Sequence, residues 1–240
     1  MSRRLFFVGT DTNAGKTQVL CALLRAAERA SVVAVPFKPV ESGPPGPESD
    51  HARLLAASIL ADNEVDDLAP MRWRKPIAPG LADDPNPFMG RGPGVSDLES
   101  MLGRARWALA RLEQRHSAAV SLIEGAGGLL VPMPGGSWTP EWITGLRAQP
   151  IIVARAGLGT INHTLLTIEA LRVRELEPVG FLFTQMLGRK DPSRRHNATV
   201  IEQRSGVPCL GTLPFLGRPP TLPDDDEWLV PDFWSRVLAS

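Results

Sequence analysis

Cysteine and net charge are both scarce in this sequence. The 240 residues contain only two cysteines, Cys21 and Cys209, which fall in a helical and a strand-like pattern without metal-ligand spacing. This usage argues against a disulfide scaffold and fits a reducing compartment, so we expect a cytoplasmic protein. The 26 basic and 26 acidic residues cancel to a formal charge of zero. Without an overall field to attract nucleic acid or an acidic membrane surface, small-molecule chemistry is favoured.

Long hydrophobic runs are also missing. No apolar stretch approaches the ~20 residues that a membrane-spanning helix needs. The N-terminal Met-Ser-Arg-Arg leads directly into a predicted strand, without the apolar segment of a signal peptide. We therefore expect neither a membrane nor a nucleic-acid partner. The apolar content of 43% is enough for one sizeable core, which predicts a single domain over residues 1–240.

The sequence does contain a phosphate-binding pattern near its start. The apolar run Leu5–Val8 predicts a buried strand, and Gly9 begins a polar turn that ends in Gly15-Lys16-Thr17 before a helical pattern. Glycines let the backbone approach phosphate oxygens, the amides at the helix start point at the anion, Lys16 adds a positive charge, and Thr17 can reach a magnesium ion. A chance match in a solvated turn is disfavoured by the strand before it and the helix after it. The residues expected to bind nucleotide here are Asn13, Ala14, Gly15, Lys16 and Thr17.

Strand-like and helix-like segments alternate along the rest of the chain. Further strands are predicted over residues 32–37, 118–123, 150–154, 179–184 and 207–213, with helices after most of them. This alternation predicts an α/β protein: a single-domain P-loop fold with a mostly parallel sheet and helices on both faces. Ser49 and Asp50 are predicted to cap a helix that runs through Ile59. Residues 70–95 predict a long excursion over the surface, of the kind that often forms a lid or binding segment.

Charged residues follow the ends of two predicted strands. Lys38 follows the second strand, Glu124 follows the third, and Asp50 lies a short loop beyond the second. The carboxyl ends of parallel strands meet at one crevice, so we expect these side chains to surround the phosphates. Thr17, Asp50 and Glu124 are hard oxygen ligands suited to a hydrated Mg²⁺, and Lys16 and Lys38 would neutralise charge on a transferred phosphoryl group.

Simpler explanations remain open for single residues. From local sequence, Asp50 fits a helix N-cap as well as it fits a metal ligand. Glu124 is harder to explain without a partner, because an unpaired carboxylate buried at the end of an apolar strand is costly.

The run at residues 157–162 (GLGTIN) is similar to a dinucleotide-binding fingerprint. Asn162 stands where the third glycine belongs, and no acidic residue ends the following strand, so we reject nicotinamide binding. A helix N-terminus with free amides suits a substrate carboxylate, whereas a close-packed turn explains the run equally well. None of the four histidines has metal-ligand spacing, and none is assigned a catalytic role.

Taken together, these segments resemble the dethiobiotin synthetase family. The similarity rests, over nearly the whole chain and in the family's order, on Gly9–Thr17, Lys38–Val40 with Ser42-Gly43, Glu124–Gly128, and Gly157–Gly159 with Asn162-His163. It implies a ligase of biotin synthesis that converts 7,8-diaminopelargonate, CO2 and MgATP into dethiobiotin, ADP and phosphate. A substrate amine would form a carbamate, the carbamate would attack the γ-phosphate, and the second amine would close the cyclic urea.

The resemblance also implies roles for individual residues. The residues implied to act in catalysis are Lys16, Lys38 and Ser42. Those implied to bind the substrate are Thr12, Lys38, Ser42, Gly159 and Asn162, the last two largely from a neighbouring subunit, which implies a homodimer. The implied magnesium ligands are Thr17, Asp50 and Glu124. Beyond the loop, the implied nucleotide contacts are Glu124, Thr184, Pro214 and Phe215.

Four residues depart from the family's usual pattern. Asn13 replaces an acidic residue that often follows Thr12, and Glu41 adds a charge beside the strand that delivers Lys38. Gly80 stands where a histidine is common. Thr184 stands where the family usually places an asparagine that reads adenine, which predicts poor discrimination among nucleoside triphosphates.

Three other functions are considered. A nucleotide-switch ATPase would usually carry an extra lysine early in the loop, where this chain has Asp11. An ATP-dependent amide-forming domain would need an ammonia-producing partner with a nucleophilic cysteine, and neither cysteine lies in an exposed elbow. A non-catalytic relative that binds nucleotide remains open because of the four departures.

Overall fold

The computed structural model describes residues 2–84, 97–186, 188, 191–217 and 220–239. The strands in chain order are β1 Arg3–Gly9, β2 Ala34–Phe37, β3 Val40–Ser42, β4 Met71–Trp73, β5 Val120–Gly128, β6 Pro132–Met133, β7 Ser137–Trp138, β8 Gln149–Arg155, β9 Gly180–Thr184 and β10 Cys209–Leu213. The helices are α1 Lys16–Arg29, α2 Asp50–Ala56, α3 Val65–Leu68, α4 Pro79–Asp83, α5 Leu98–His116, α6 Thr139–Gly145, α7 Thr160–Arg172, α8 Arg194–Ser205 and α9 Phe233–Ala239.

Six of these strands form one parallel sheet in the order β10-β9-β8-β1-β5-β2. The central strand β1 shows why its sequence lacks alternation: Leu5, Phe6, Phe7 and Val8 are all buried, as expected for a strand covered on both faces. Pro36 is accommodated because β2 is an edge strand, where one side of the ladder needs no donor. Helices surround this sheet, and the predicted fold class is confirmed.

The predicted elements differ from the observed ones mainly at their ends. The helix α2 ends at Ala56, so the prediction that it continues through Ile59 is wrong, and Ile59 is half exposed. The predicted excursion over residues 70–95 contains β4 and α4, and β4 pairs in parallel with β3 to form a small second sheet. Residues 85–95 of that prediction lie outside the described part of the chain. Within the described ranges, no helix combines the length and apolar character needed to cross a membrane.

Candidate active site

The loop between β1 and α1 lies at the carboxyl end of the sheet. Gly15 directly precedes α1 and has a φ of 91°, a left-handed conformation that favours glycine. A Cβ at this position would also lie 2.8 Å from Cγ2 of Thr184. Both the backbone angle and the close contact therefore require glycine at the point where the loop becomes a helix.

Lys16 is buried at the mouth of this loop. Its amine donates a hydrogen bond of 2.7 Å to the carbonyl of Gly127, at the end of β5. A Cβ on Gly9 would lie 2.9 Å from the same amine, so the small residue at position 9 makes room for it. Burial, together with the positive charge of Lys38, lowers the pKa of Lys16 to about 8. The amine thus lies at the sheet edge, where a phosphate would offset the cost of its burial.

Lys38, Asp50, Glu124 and Thr17 meet in one cluster beside the loop. The Lys38 amine donates to Asp50 Oδ2 and to Glu124 Oε1, both at 2.8 Å. The Thr17 hydroxyl lies 2.8 Å from Asp50 Oδ1 and 2.9 Å from Glu124 Oε1, within hydrogen-bonding distance of both. The four side chains come from α1, α2, the end of β2 and β5, so the sheet edge assembles the cluster that the sequence predicts.

Charge compensation holds this cluster together in spite of its burial. Burial disfavours the charged Lys38 amine, but the Glu124 and Asp50 carboxylates outweigh it and raise the pKa of Lys38. Burial likewise disfavours the Asp50 carboxylate, but Lys38 and the Thr17 hydroxyl lower its pKa to about 2. For Glu124, complete burial is the largest effect and raises the pKa of the carboxyl. The cluster is therefore an ion network with one carboxylate deeper than the other.

The oxygen atoms of this cluster fit a magnesium ion. Oε2 of Glu124 is buried and has no hydrogen-bond partner among the described residues, although buried carboxylate oxygens are usually satisfied. The Thr17 hydroxyl lies against the other oxygen of the same carboxylate and also contacts Asp50 Oδ1. Within the described residues no three His, Cys, Asp or Glu side chains form a metal-binding group. A bound Mg²⁺ would accordingly take further ligands from phosphate and water, as this ion commonly does.

The cluster opens into a cleft of about 580 Å³. The predicted site residues that line it are Thr12, Asn13, Gly15, Lys16, Thr17, Lys38, Ser42, Asp50 and Glu124. The Ser42 hydroxyl donates to the carbonyl of Ile77, another residue of the lining. Apolar side chains, among them Ala126, Val131 and Met186, complete the lining. The cleft therefore combines a charged end at the loop with a wall that an aliphatic substrate can contact.

Thr184 lies beneath the loop at Ala14, and neither residue is among the described residues that line the cleft. The Thr184 hydroxyl is buried and donates a hydrogen bond of 2.7 Å to the Ala14 carbonyl. The end of β9 thereby supports the loop, and the hydroxyl proton of Thr184 is used in the hydrogen bond to the loop backbone. Pro214 and Phe215 follow β10 and are absent from the described lining of the cleft. The ring of Phe215 lies against Gly188, where a Cβ would be 3.0 Å from it.

Gly159 and Asn162 are exposed at the start of α7, and the structure does not bring them to the cleft of the same chain. Gly159 immediately precedes the helix and has a φ of 92°. The nearest heavy atom to a Cβ at Gly159 would be on His163, at 3.9 Å. The turn is therefore open to solvent on this side, not closely packed.

Residues that sequence reasoning did not assign also line the cleft. They are Gln18, Glu41, Arg53, Pro76, Ile77, Ala78, Pro79, Ala126, Gly127, Val131 and Met186. The carboxylate of Glu41 accepts the backbone N–H groups of Asp50 and His51 and thus caps α2. The predicted side-chain cap by Ser49 is wrong, because the Ser49 hydroxyl donates to the Gly46 carbonyl instead. The sequence showed Glu41 as an extra acidic residue close to Lys38. It did not show that Glu41 contacts the backbone of Asp50, nine residues further on.

Gly80 is required by a close contact between α4 and β6. A Cβ on Gly80 would lie 2.7 Å from the carbonyl oxygen of Met133 and 2.7 Å from the carbonyl carbon of Pro132. Both are backbone atoms, which cannot move aside as a flexible side chain can. The glycine that departs from the usual pattern is thus explained by backbone packing next to the cleft.

Comparison with known proteins gives a consistent result. The model of a family described as an AAA domain matches residues 3–218. A protein named ATP-dependent dethiobiotin synthetase BioD from Anaeromyxobacter dehalogenans is 39% identical over 214 residues, covering 89% of this chain and 90% of that protein. A protein of the same name from Bacillus velezensis is 34% identical over 218 residues, covering 89% of this chain and 87% of that protein.

Solved structures with a similar fold are more distant in sequence. Chloroplast FtsY from Physcomitrella patens superposes with a TM-score of 0.52 at 15% identity, covering 99% of this chain and 64% of that one. The signal recognition particle 54 kDa protein from Aeropyrum pernix, solved with GDP, gives 0.51 at 14% identity, covering 89% and 41%. This chain spans less than two thirds of either protein, and at such identities the likeness concerns the fold alone.

Proposed function

Because this chain belongs to the family of ATP-dependent dethiobiotin synthetases, we propose that it forms dethiobiotin from 7,8-diaminopelargonate, CO2 and ATP in the cleft beside the loop. The family makes it an ATP-dependent ligase of biotin synthesis, as the sequence predicted. The observation that carries the proposal is the cluster of Lys38, Asp50, Glu124 and Thr17 next to Lys16. Two amines and two carboxylates at one sheet edge suit phosphoryl transfer, which depends mainly on positioning and electrostatics.

The reaction has three steps, in which the residues of the cleft have separate tasks. One substrate amine adds to the carbon of CO2 and loses a proton, which gives a carbamate. A carbamate oxygen then attacks the γ-phosphorus, and ADP leaves. The second amine attacks the carbamate carbon, the cyclic urea closes, and phosphate leaves. Lys16 and Lys38 stabilise the negative charge on the transferred group, and Ser42, at the cleft wall, orients the carbamate.

Magnesium fits the oxygen atoms beside these amines. Thr17, Asp50 and Glu124 would hold the ion, which would offset the negative charge of the nucleotide phosphates. The Oε2 atom of Glu124, which is buried and has no partner in the part of the chain that the structure describes, supports this assignment. Lys38, which bonds both carboxylates, would keep their positions fixed relative to the transferred phosphoryl group.

The nucleotide is proposed to bind along the loop and towards β9 and β10. The backbone amides of Asn13, Ala14 and Gly15 face the phosphates, as in other glycine-rich loops before helices. Pro214 and Phe215, after β10, are proposed to lie along the base. Thr184 supports the loop from below through Ala14, so its contribution to nucleotide binding is indirect.

The substrate is proposed to bind between Thr12, Lys38 and Ser42, with its carboxylate at Gly159 and Asn162 of a second subunit. Support for a homodimer comes from apolar side chains exposed around these residues: Leu158 is 94% exposed, Leu166 55% and Val173 81%. Asn162 and Leu166 are four residues apart and lie on one face of α7, and Leu158 lies in the turn just before this helix. Such exposed apolar side chains commonly mark an interface. The enzyme is proposed to be cytoplasmic, with no nucleic-acid or membrane partner.

The other functions considered from sequence are not favoured. A switch ATPase or a non-catalytic nucleotide-binding relative would share the loop, but the curated relatives over 89% of the chain carry the synthetase name. The distinction is measurable, because only the synthetase requires the diamine for phosphate release.

The experiment is a phosphate-release assay on the purified protein with MgATP and bicarbonate, with and without 7,8-diaminopelargonate, and with dethiobiotin identified by mass spectrometry. We expect release to depend on the diamine and to match the dethiobiotin formed. The Lys38→Ala variant should reduce this rate by at least about 100-fold, by analogy with the loss of one electrostatic stabilising group. Phosphate release that is independent of the diamine would contradict the proposal and favour a switch.

A further inference from the structure

Glu41 occupies an unusual place between the two segments that supply the ion cluster. It belongs to β3, which begins two residues after Lys38, and its side chain is buried. Its Oε1 accepts the Asp50 N–H at 2.8 Å, and its Oε2 accepts the His51 N–H at 3.2 Å. Nδ1 of His51 lies 2.7 Å from the same Oε2. One carboxylate thus makes three contacts with the first turn of α2.

We propose that Glu41 is a positioning residue, which caps α2 from β3 and thereby holds the Asp50 carboxylate where it can ligate magnesium. The inference rests on the proposed function in one respect, because it takes Asp50 as a ligand of the nucleotide-bound ion. It assigns no substrate contact to Glu41 itself.

The need for such a residue follows from the shortness of α2. A helix of seven residues is far below the length at which an isolated helix is stable in water, so external contacts must define its first turn. The Ser49 side chain makes no capping hydrogen bond. The N–H groups of Asp50 and His51 are therefore satisfied by Glu41, and a shift of that turn would move the Asp50 carboxylate directly.

The contacts also argue against a direct role for Glu41 in binding a substrate amine. A carboxylate has about four acceptor positions, and the backbone and imidazole contacts already use three. Asp50, in contrast, points at the cluster and contacts Lys38 and Thr17 at 2.8 Å each. Glu41 thus binds the backbone at the start of α2, and Lys38 binds the side chain of Asp50 in the same turn.

The chain provides a matched control in Glu64. This glutamate is also buried, accepts a backbone N–H, that of Ala61, and bonds a histidine, His116. It additionally pairs with Arg115 and is not among the described residues that line the cleft. Replacing Glu64 by glutamine therefore reproduces the loss of a buried capping carboxylate outside the described lining of the cleft.

The experiment measures the binding of a non-hydrolysable ATP analogue by calorimetry over a series of free Mg²⁺ concentrations, on the full chain. For Glu41→Gln we expect the Mg²⁺ concentration at half-maximal nucleotide affinity to rise about tenfold, the size typical for loss of a residue that orients a metal ligand. In steady-state assays the KM for Mg²⁺ should rise in parallel. At saturating Mg²⁺, kcat and the KM for the diamine should stay within about threefold of the wild type. Glu64→Gln should lower the melting temperature without moving the Mg²⁺ midpoint.

Two results would overturn the inference. One is a Glu41→Gln variant whose Mg²⁺ midpoint lies within twofold of the wild-type value, which would show that the cap has only a structural role. The other is a raised KM for the diamine with an unchanged Mg²⁺ midpoint, which would make Glu41 a substrate contact. If Glu41→Gln does not fold, Glu41→Asp decides, since it keeps the carboxylate but shortens its reach to the N–H groups of Asp50 and His51, and it should still raise the midpoint. A wild-type protein that binds MgATP but forms no dethiobiotin would contradict the proposed function and leave this test intact.

Discussion

The Lys38 amine lies 2.8 Å from the Glu124 carboxylate, and the two side chains are only 3% and 1% exposed. The partners are 86 residues apart in the chain. Burial of either charge alone would be costly. Each residue can be buried here because the other one compensates its charge. The pair thus links the end of β2 to β5, two adjacent strands of the sheet.

Removal of Lys38 is expected to destabilise the protein. In Lys38→Met, Glu124 keeps its buried position without a cation, and the free energy of unfolding should fall by about 3 kcal/mol. The double variant Lys38→Met/Glu124→Gln should lose less than the sum of the single changes, because the two residues interact directly. Urea unfolding at pH 7 without Mg²⁺ measures all three values. A Lys38→Met variant as stable as the wild type would show that the pair contributes nothing to folding.

Loss of a carboxylate at the proposed magnesium site should lower activity. Asp50→Asn and Glu124→Gln each keep the side-chain volume but weaken a hard oxygen ligand, so dethiobiotin formation should fall by roughly 100-fold. Excess Mg²⁺ should restore part of the Asp50→Asn activity. Chelation of Mg²⁺ should abolish the wild-type reaction. The assay is phosphate release over a range of free Mg²⁺; full activity in the presence of a chelator would exclude the assignment.

Thr184 predicts weak discrimination among nucleoside triphosphates. Its hydroxyl donates to the Ala14 carbonyl and is not available to read a base. We expect kcat/KM values for ATP, CTP and GTP within about tenfold of one another, since no paired amide at this position rejects the wrong base. Thr184→Val should raise the KM for all three nucleotides alike, because it removes only the support of the loop. A strong preference of the wild type for ATP would contradict this.

Replacement of Gly80 by histidine, the residue that is common at this position in the family, is expected to destabilise the protein. Gly80→His would bring a Cβ within 2.7 Å of the Met133 carbonyl oxygen, and overpacking of this kind costs about 1–3 kcal/mol. Gly103 is a suitable control, because it lies inside α5 and a Cβ there has no neighbour within 4 Å. Gly103→Ala should be neutral or stabilising by about 0.5–1 kcal/mol. Equal melting temperatures for Gly80→His and the wild type would refute the expectation.

Both cysteines should react slowly in the folded protein. Burial raises the pKa of the Cys21 thiol to about 12 and that of Cys209 to about 11. At pH 8, below both values, the thiolate that reacts with disulfide reagents is scarce, and its fraction grows only as the pH rises towards 11. We expect labelling by a chromogenic disulfide reagent at pH 8 to be at least about tenfold slower than in urea. Rapid labelling of the native protein would instead indicate a reactive thiol.

The sequence predicted the fold class and most of the cluster because the relevant signals are local. Gly15, Lys16 and Thr17 stand between a buried strand and a helix, and a parallel sheet necessarily brings the ends of its strands to one edge. Lys38 follows the second predicted strand and Glu124 the third, so their meeting could be inferred without coordinates, although β5 continues past Glu124 to Gly128. The choice between a cap and a metal ligand at Asp50 could not, because both fit the same local sequence.

The tertiary structure alone decided the contacts that join distant or irregular segments. Sequence did not show that Glu41 caps α2 in place of Ser49, that Thr184 lies under Ala14, or that Gly80 faces the backbone of β6. These contacts depend on the relative placement of loops and short elements, which hydrophobic periodicity does not encode. The hydrophobic pattern of the sequence therefore determined which segments form the strands and helices and in which order they follow along the chain. The close packing between these segments determined which backbone groups the polar side chains bind and where only glycine fits.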